Sequence, residues 1–521
     1  MRTPRRSLHL LSMVLSAALL LASCAAPRGT RPTPEVVAAD EVTQLRWLDR
    51  VSWGANASSA AQLAKQGLPI WLRDQLHPAP ARLPAVAQAQ IDAMVISQTP
   101  VEQLAMSLDA QRKATDALPD EEQKKVARQV YQQQLQRLLR ESQQRFLLRA
   151  LYSPNQLQEK MTWFWMNHFN VNARKDNIRV LIGDYEENAI RPHALGRFRD
   201  LLGATQRHPA MLRYLDNAQN AANRINENYA RELMELHTLG VGGGYSQADV
   251  QELARVLSGV GIASLNADAP PSNMRPALRG DYVRQGLFEF NPNRHDYGSK
   301  TLFGQPMVQR GLAETDEALD RLARVPATAH FVSTKLAMYF VADVPPPTLV
   351  DRMTATFRRS DGDIAAVLTA MFESPEFTAS LGGKFRDPLH YAIGSVRLAY
   401  DDRVATDLNP LIGWIARMGE PLYGHETPDG YPLTQDAWAS AGQMTTRFEI
   451  ARAIGTGGAV LFRTEDKAPL EKPPFPPLAE SSAVRARIPS FGAGTRDALA
   501  QAKTPQEWNT FLLASPENMH R

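Results

Sequence analysis

Glu232, Glu235 and His237 fall within one short stretch, and a second acid and imidazole, His295 and Asp296, stand together in a polar segment further on. Carboxylates three residues apart share a stripe of a helix, so Glu232 and Glu235 can act as metal ligands or as a proton-transfer pair. His295 and Asp296 would complete a divalent-metal site from their loop, with His237 as a further ligand and Arg231 orienting an acidic group of a substrate. A plainer reading uses the same residues. Glu227, Arg231 and Glu235 form an i, i+4 acid, base, acid ladder, which contributes roughly 0.2–0.5 kcal/mol per pair on a solvated face. Glu232, at the edge of the apolar face, then reads as half of a buried ion pair, and the loop 293–300 as an Asx-type turn with an exposed histidine. His237 points well away from Glu232 on the helical wheel, so one helix cannot build a site alone.

The elements that must hold these groups form a helix hairpin over residues 226–257. Asn226 caps the first helix, and Ile225, Tyr229, Leu233, Leu236 and Leu239 recur at three- and four-residue steps to make one apolar face. Gly240 suits the left-handed residue that ends a helix. Gly242, Gly243 and Gly244 reverse the chain, Ser246 and Asp249 make a capping box, and Val250, Leu253, Ala254 and Leu257 carry the second apolar face up to Gly259. No strand precedes the glycines, which argues against a phosphate cradle. Beyond them, 286–290 and 301–304 read as two short strands whose connection carries His295 and Asp296.

Residues 68–76, 121–151, 157–169, 315–323, 327–341, 349–357 and 363–372 read as further helices, with Ser374 and Pro375 opening another. The segment 121–151 places Val126, Val130, Leu135, Leu138, Leu139 and Phe146 on one side; its basic residues face solvent or an anionic lipid or polysaccharide. Residues 157–169 are apolar nearly all round and predict a central buried helix, with His168 as a hydrogen-bonded core residue or a ligand. The expected fold class is mainly α: a large multi-helical domain with a small β-hairpin or loop insertion.

The 521 residues are 44% apolar and 22% charged, an ordinary globular composition. Arg2, Arg5 and Arg6 precede an apolar run, 8–21, that ends in Leu21, Ala22, Ser23 and Cys24. This resembles the lipobox of bacterial lipoproteins, in which the cysteine receives a diacylglycerol; the alternative is a signal peptide cut at another bond. Cys24 is the only cysteine, so intramolecular disulfides are excluded. The expected organisation is a signal peptide over 1–23, a lipidated Cys24 with a Pro/Ala-rich tether over 24–44, and a helical domain over 45–521 with a Pro-rich connector near 467–480. Arg5 and Arg6 resemble a twin-arginine export signal. Ala25 after the cysteine favours the outer membrane, by resemblance to the sorting rule of enteric bacteria. Residues 1–23 hold three arginines and no acid, so cleavage takes the formal charge from +3 to zero and gives no reason to expect nucleic-acid binding.

The run from Asn226 through Gly240 resembles the signature of the bacterial family catalogued as domain of unknown function 1800. Trp163 to Phe169, His295-Asp296 with Gly298 and Lys300, Lys335-Leu336, Asp361-Gly362-Asp363, Ser374-Pro375-Glu376-Phe377 and Gly430-Tyr431-Pro432 with Trp438 fit the same pattern, over about 45–521. The chain departs from it at Val325, where members tend to carry histidine before proline, and at Val260, where they tend to carry tryptophan. The resemblance implies a largely helical exported protein of unestablished activity. It also implies association with a second exported family, domain of unknown function 1501.

Two functions follow as expectations. The first is a lipid-anchored envelope protein acting as a binding or assembly factor, since no His-Glu-x-x-His, Gly-x-Ser-x-Gly or P-loop pattern is present. The second is a metal-dependent or acid/base hydrolase of a cell-surface polymer, built on Glu232, Glu235, Arg231, His237, His295 and Asp296.

Overall fold

The computed structural model describes residues 40–264, 271, 273–462 and 475–521. The signal peptide, Cys24, most of the tether and much of the connector 467–480 lie outside the described residues.

Local sequence rules set most helix boundaries. The helix Leu68–Leu76 starts and stops where the apolar pattern does, and Ser246 and Asp249 exchange both capping-box hydrogen bonds at the start of Gln247–Val256. Asp363 and Ser374 cap Ile364–Phe372 and Pro375–Ala379. The chain is mainly α, as expected, and among the described residues strands occur only as five short segments.

Two expectations are corrected. The strands β1 (Val260–Ile262), β2 (Val283–Gln285) and β3 (Phe288–Phe290) form one antiparallel sheet in the order β1-β3-β2. Strand β4 (Thr301–Leu302) turns back on β5 (Gln305–Pro306). The two expected strands therefore do not pair with each other. Phe288, Glu289 and Phe290 are all buried, so β3 takes partners on both edges. The second correction concerns Glu121–Tyr152: Leu135, Leu138, Leu139 and Phe146 are buried, but Val126 and Val130 are 60% and 43% exposed. Apolar spacing makes a face, but burial needs a neighbour: the helix Val101–Asp116 packs on this one, and in its first turns Lys124, Ala127 and Tyr131 are the more covered residues rather than Val126 and Val130.

Gln156–His168 is the centre of the core, with every residue from Gln156 to Asn167 except Gln158 buried. Each buried Leu, Phe or Met there contributes roughly 1.5–3 kcal/mol. Residues far apart in sequence close the same core. The buried Arg50 guanidinium donates to the carbonyls of Ser380 and Arg521, each at 2.5 Å, and Asp49 accepts from Arg386 at 3.0 Å and Arg487 at 2.9 Å. Residues from Ala39 to Arg521 form one unit, and no helix among the described residues is long and apolar enough to cross a membrane.

Candidate functional site

The first helix of the hairpin is shorter than its apolar pattern predicts. It spans Asn228–Glu235, with Asn226 accepting the Asn228 N–H at 3.0 Å. The last turn then widens: the N–H groups of Leu236 and His237 both reach the Glu232 carbonyl, and Leu239 reaches back to Met234 at 2.8 Å. Gly240 ends it at φ +84°, and a Cβ there would sit 2.8 Å from the Phe331 ring, so only glycine fits. This wide turn carries His237 inward, where it is fully buried.

The expected ladder forms. Arg231 lies 3.2 Å from Glu227 and 3.6 Å from Glu235, and Gln247 on the facing helix bonds both Arg231 and Glu227. Arg231 is thereby occupied as a strut between two helices. Glu232 differs from its neighbours: it is half-buried and its carboxylate makes no hydrogen bond or ion pair among the described residues. Burial raises its pKa, Glu235 and Asp429 add to the effect, and Arg231 offsets part of it.

Three further segments converge on this helix. His168 places Nε2 3.0 Å from the His237 carbonyl, and the two imidazoles stand 6.1 Å apart. Phe164, Trp165, Phe169 and Phe331 surround the His168 ring, which is the hydrogen-bonded core reading of that residue. Neither ring nitrogen of His237 has a partner, nor has Nδ1 of His168. Burial, with Lys335 second, holds the His237 pKa down to about 3, so the ring is neutral at pH 7.

Lys335 comes from the Pro326–Phe340 helix. Its ammonium lies 5.4 Å from the Phe331 ring centre and has no hydrogen bond or ion pair among the described residues. Burial lowers its pKa to about 8, opposed by the charge of Asp429.

Asp429 stands on a loop that the central helix positions. Asn167 bonds both the N–H and the carbonyl of Tyr431, and Asn170 donates to the carbonyls of His425 and Thr427. Gly430, at φ +77°, lets the loop lie against the Asn167 backbone, where any Cβ would meet the carbonyl at 2.1 Å. The Thr427 hydroxyl donates to Asp429 at 2.6 Å. The loop so held brings a carboxylate whose charge acts on both Glu232 and Lys335.

His295 and Asp296 belong to a different cluster. His295 Nδ1 is 2.7 Å from the Ser258 carbonyl and Nε2 is 3.4 Å from Glu314, while Lys300 bonds Glu314 at 2.6 Å and the Asp296 carbonyl. Asp296 pairs with Arg255 at 2.8 Å and also accepts the Gly298 N–H. His295 is buried rather than exposed. The expected metal shell of Glu232, His237, His295 and Asp296 does not form: among the described residues no three His, Cys, Asp or Glu side chains are placed to hold one ion. The loop residues spend their polar atoms on the scaffold.

Sequence reasoning found Glu232 and missed Asp429, whose charge acts on it, and Lys335, on which the same aspartate acts. The available signal was Lys335 as the one charged residue in the run from Phe331 to Phe340.

No curated protein and no solved structure matches the chain. The sequence model of the family described as protein of unknown function (DUF1800) matches residues 46–520, so the chain belongs to that family.

Proposed function

We propose that the protein is a lipid-anchored component of the bacterial cell envelope that binds a polar ligand group at Glu232 and Lys335, and that it works as a binding or assembly factor with another exported protein. The supporting observation is that Glu232 and Lys335 both lie under the charge of Asp429, and that this carboxylate, this ammonium and the buried His237 imidazole have no protein hydrogen-bond partner among the described residues. Buried or half-buried polar groups ordinarily find partners in the folded chain, and leaving one unmet costs about 1–3 kcal/mol. Only the His237 ring carries that cost; the Glu232 and Lys335 head groups meet water, and a ligand that offers a donor to Glu232 and an acceptor to Lys335 takes the place of that water. The anchor is Cys24, in the outer membrane, and a protein of the domain of unknown function 1501 family is the first partner to seek.

The test is in-cell crosslinking from a photoreactive residue in place of the exposed Glu426, on the loop beside the site. The expected product is one exported protein, lost when Lys335→Met is added. A folded Glu426 variant that yields no specific product would remove the proposal. The anchor has its own test: Cys24→Ser should move the protein from the membrane to the soluble fraction.

A further inference from the structure

A partly buried arginine and an exposed aspartate, neither hydrogen-bonded to the protein through its side chain among the described residues, line a cavity away from the Glu232 site. The helices Val101–Asp116, Ile178–Asp184 and Pro209–Tyr214, with strand β1, enclose a cavity of about 320 Å³. Leu108, Val180, Leu181, Ile262 and Leu287 give it apolar walls.

Four charged side chains also line it, and two are already occupied. Asp109 is held by Lys113 at 2.7 Å and Arg112 at 2.9 Å, and Asp216 by Lys175 at 2.9 Å. Arg213 and Asp176 have no hydrogen bond or ion pair through their side chains among the described residues. They act on each other electrostatically but stand too far apart to pair. Burial draws the partly buried Arg213 guanidinium below its ordinary pKa, with the charges of Asp176, Tyr131 and Asp109 opposing the shift.

A guanidinium offers a planar fork that matches a carboxylate in two parallel hydrogen bonds. A carboxylate across the same cavity offers the complementary acceptor for an ammonium. The size falls at the lower end of small-molecule sites, roughly 300–1,000 Å³, which suits one compact ligand rather than a polymer. We propose that this cavity binds a small zwitterion with an apolar side chain, an α-amino acid in chemical class, with its carboxylate on Arg213 and its ammonium on Asp176.

The test is titration calorimetry on the full-length protein in detergent, with alanine, valine and leucine of both hands as probes. At least one should bind. For the best of them, the amide lacking the carboxylate and the acid lacking the amine should each bind about tenfold more weakly or worse, the loss expected for one charged hydrogen-bond set. Arg213→Gln should weaken binding by a similar factor with an unchanged unfolding temperature, and Arg213→Lys should recover part of it. Asp176→Asn should bring the zwitterion down to the level of the amine-free acid. Absence of binding by every probe, or equal affinity in wild type and Arg213→Gln, would overturn the assignment. Equal affinity for the zwitterion and its amine-free analogue would overturn it too.

Discussion

Around His295 nearly every polar group has a protein partner, whereas around Glu232 the carboxylate, the lysine and the buried histidine have none. The two lysines make the contrast sharpest. Lys300 is fully buried and sits 2.6 Å from Glu314, with the Asp296 and Gly298 carbonyls completing its shell. Lys335 faces only an aromatic ring at 5.4 Å and a more distant aspartate. Both clusters come from stretches that look equally suited to chemistry. The difference teaches that composition marks where polar groups meet, while satisfaction of those groups decides whether they hold the fold together or await a ligand.

Substitutions can sharpen or break this comparison. The largest effect is expected for Lys300→Met, which leaves the buried Glu314 with no cation and only the His295 ring at 3.4 Å, and should cost about 3–5 kcal/mol of unfolding free energy by denaturant titration. A cost under about 1 kcal/mol would deny the loop its structural role. Arg255→Ala comes next, at about 1–2 kcal/mol, because its pair with Asp296 is partly solvated and screened. Lys335→Met should stay within about 1 kcal/mol of wild type, since it removes a desolvated charge and no hydrogen bond. If it instead destabilised as much as Lys300→Met, the distinction between the clusters would fail.

The smallest effect is a slope in pH. His237 has a folded pKa of about 3 against an ordinary 6.5, so the unfolded chain takes up the proton first as pH falls. Its stabilising share is complete above pH 6.5 and is lost as pH drops from there toward 3. The expected result is a steeper loss of stability on acidification in wild type than in His237→Gln. Parallel curves would mean that this imidazole takes up its proton as readily in the fold as in the unfolded chain.

Much of the fold was legible because helix signals are local. The capping box at Ser246 and Asp249 and the left-handed Gly240 need only their neighbours in sequence, and both appear where expected. The sheet order was not legible: β1 and β2 are three-residue segments paired through β3, and such pairing is settled by which edges are brought together. Val126 and Val130 kept their helical spacing and lost their burial, because Lys124, Ala127 and Tyr131 are on the more covered side of these turns. In the site, Glu232 stood out as a carboxylate at an apolar edge. His295 was grouped with it wrongly, because proximity in kind says nothing about distance.

Sequence alone determined the helical class, the family and the hairpin that carries Glu232 and His237, since periodicity, caps and glycine conformations act over a few residues. Only the tertiary structure decided that Asp429 acts on that carboxylate and on Lys335, and that His295 and Asp296 pair with other groups. Hydrogen bonds from Asn167 and Asn170 place the Asp429 loop, and packing against Phe331 places Lys335. Contacts between distant segments form only when the whole core closes, and the partners a charge finds there set its pKa and its use.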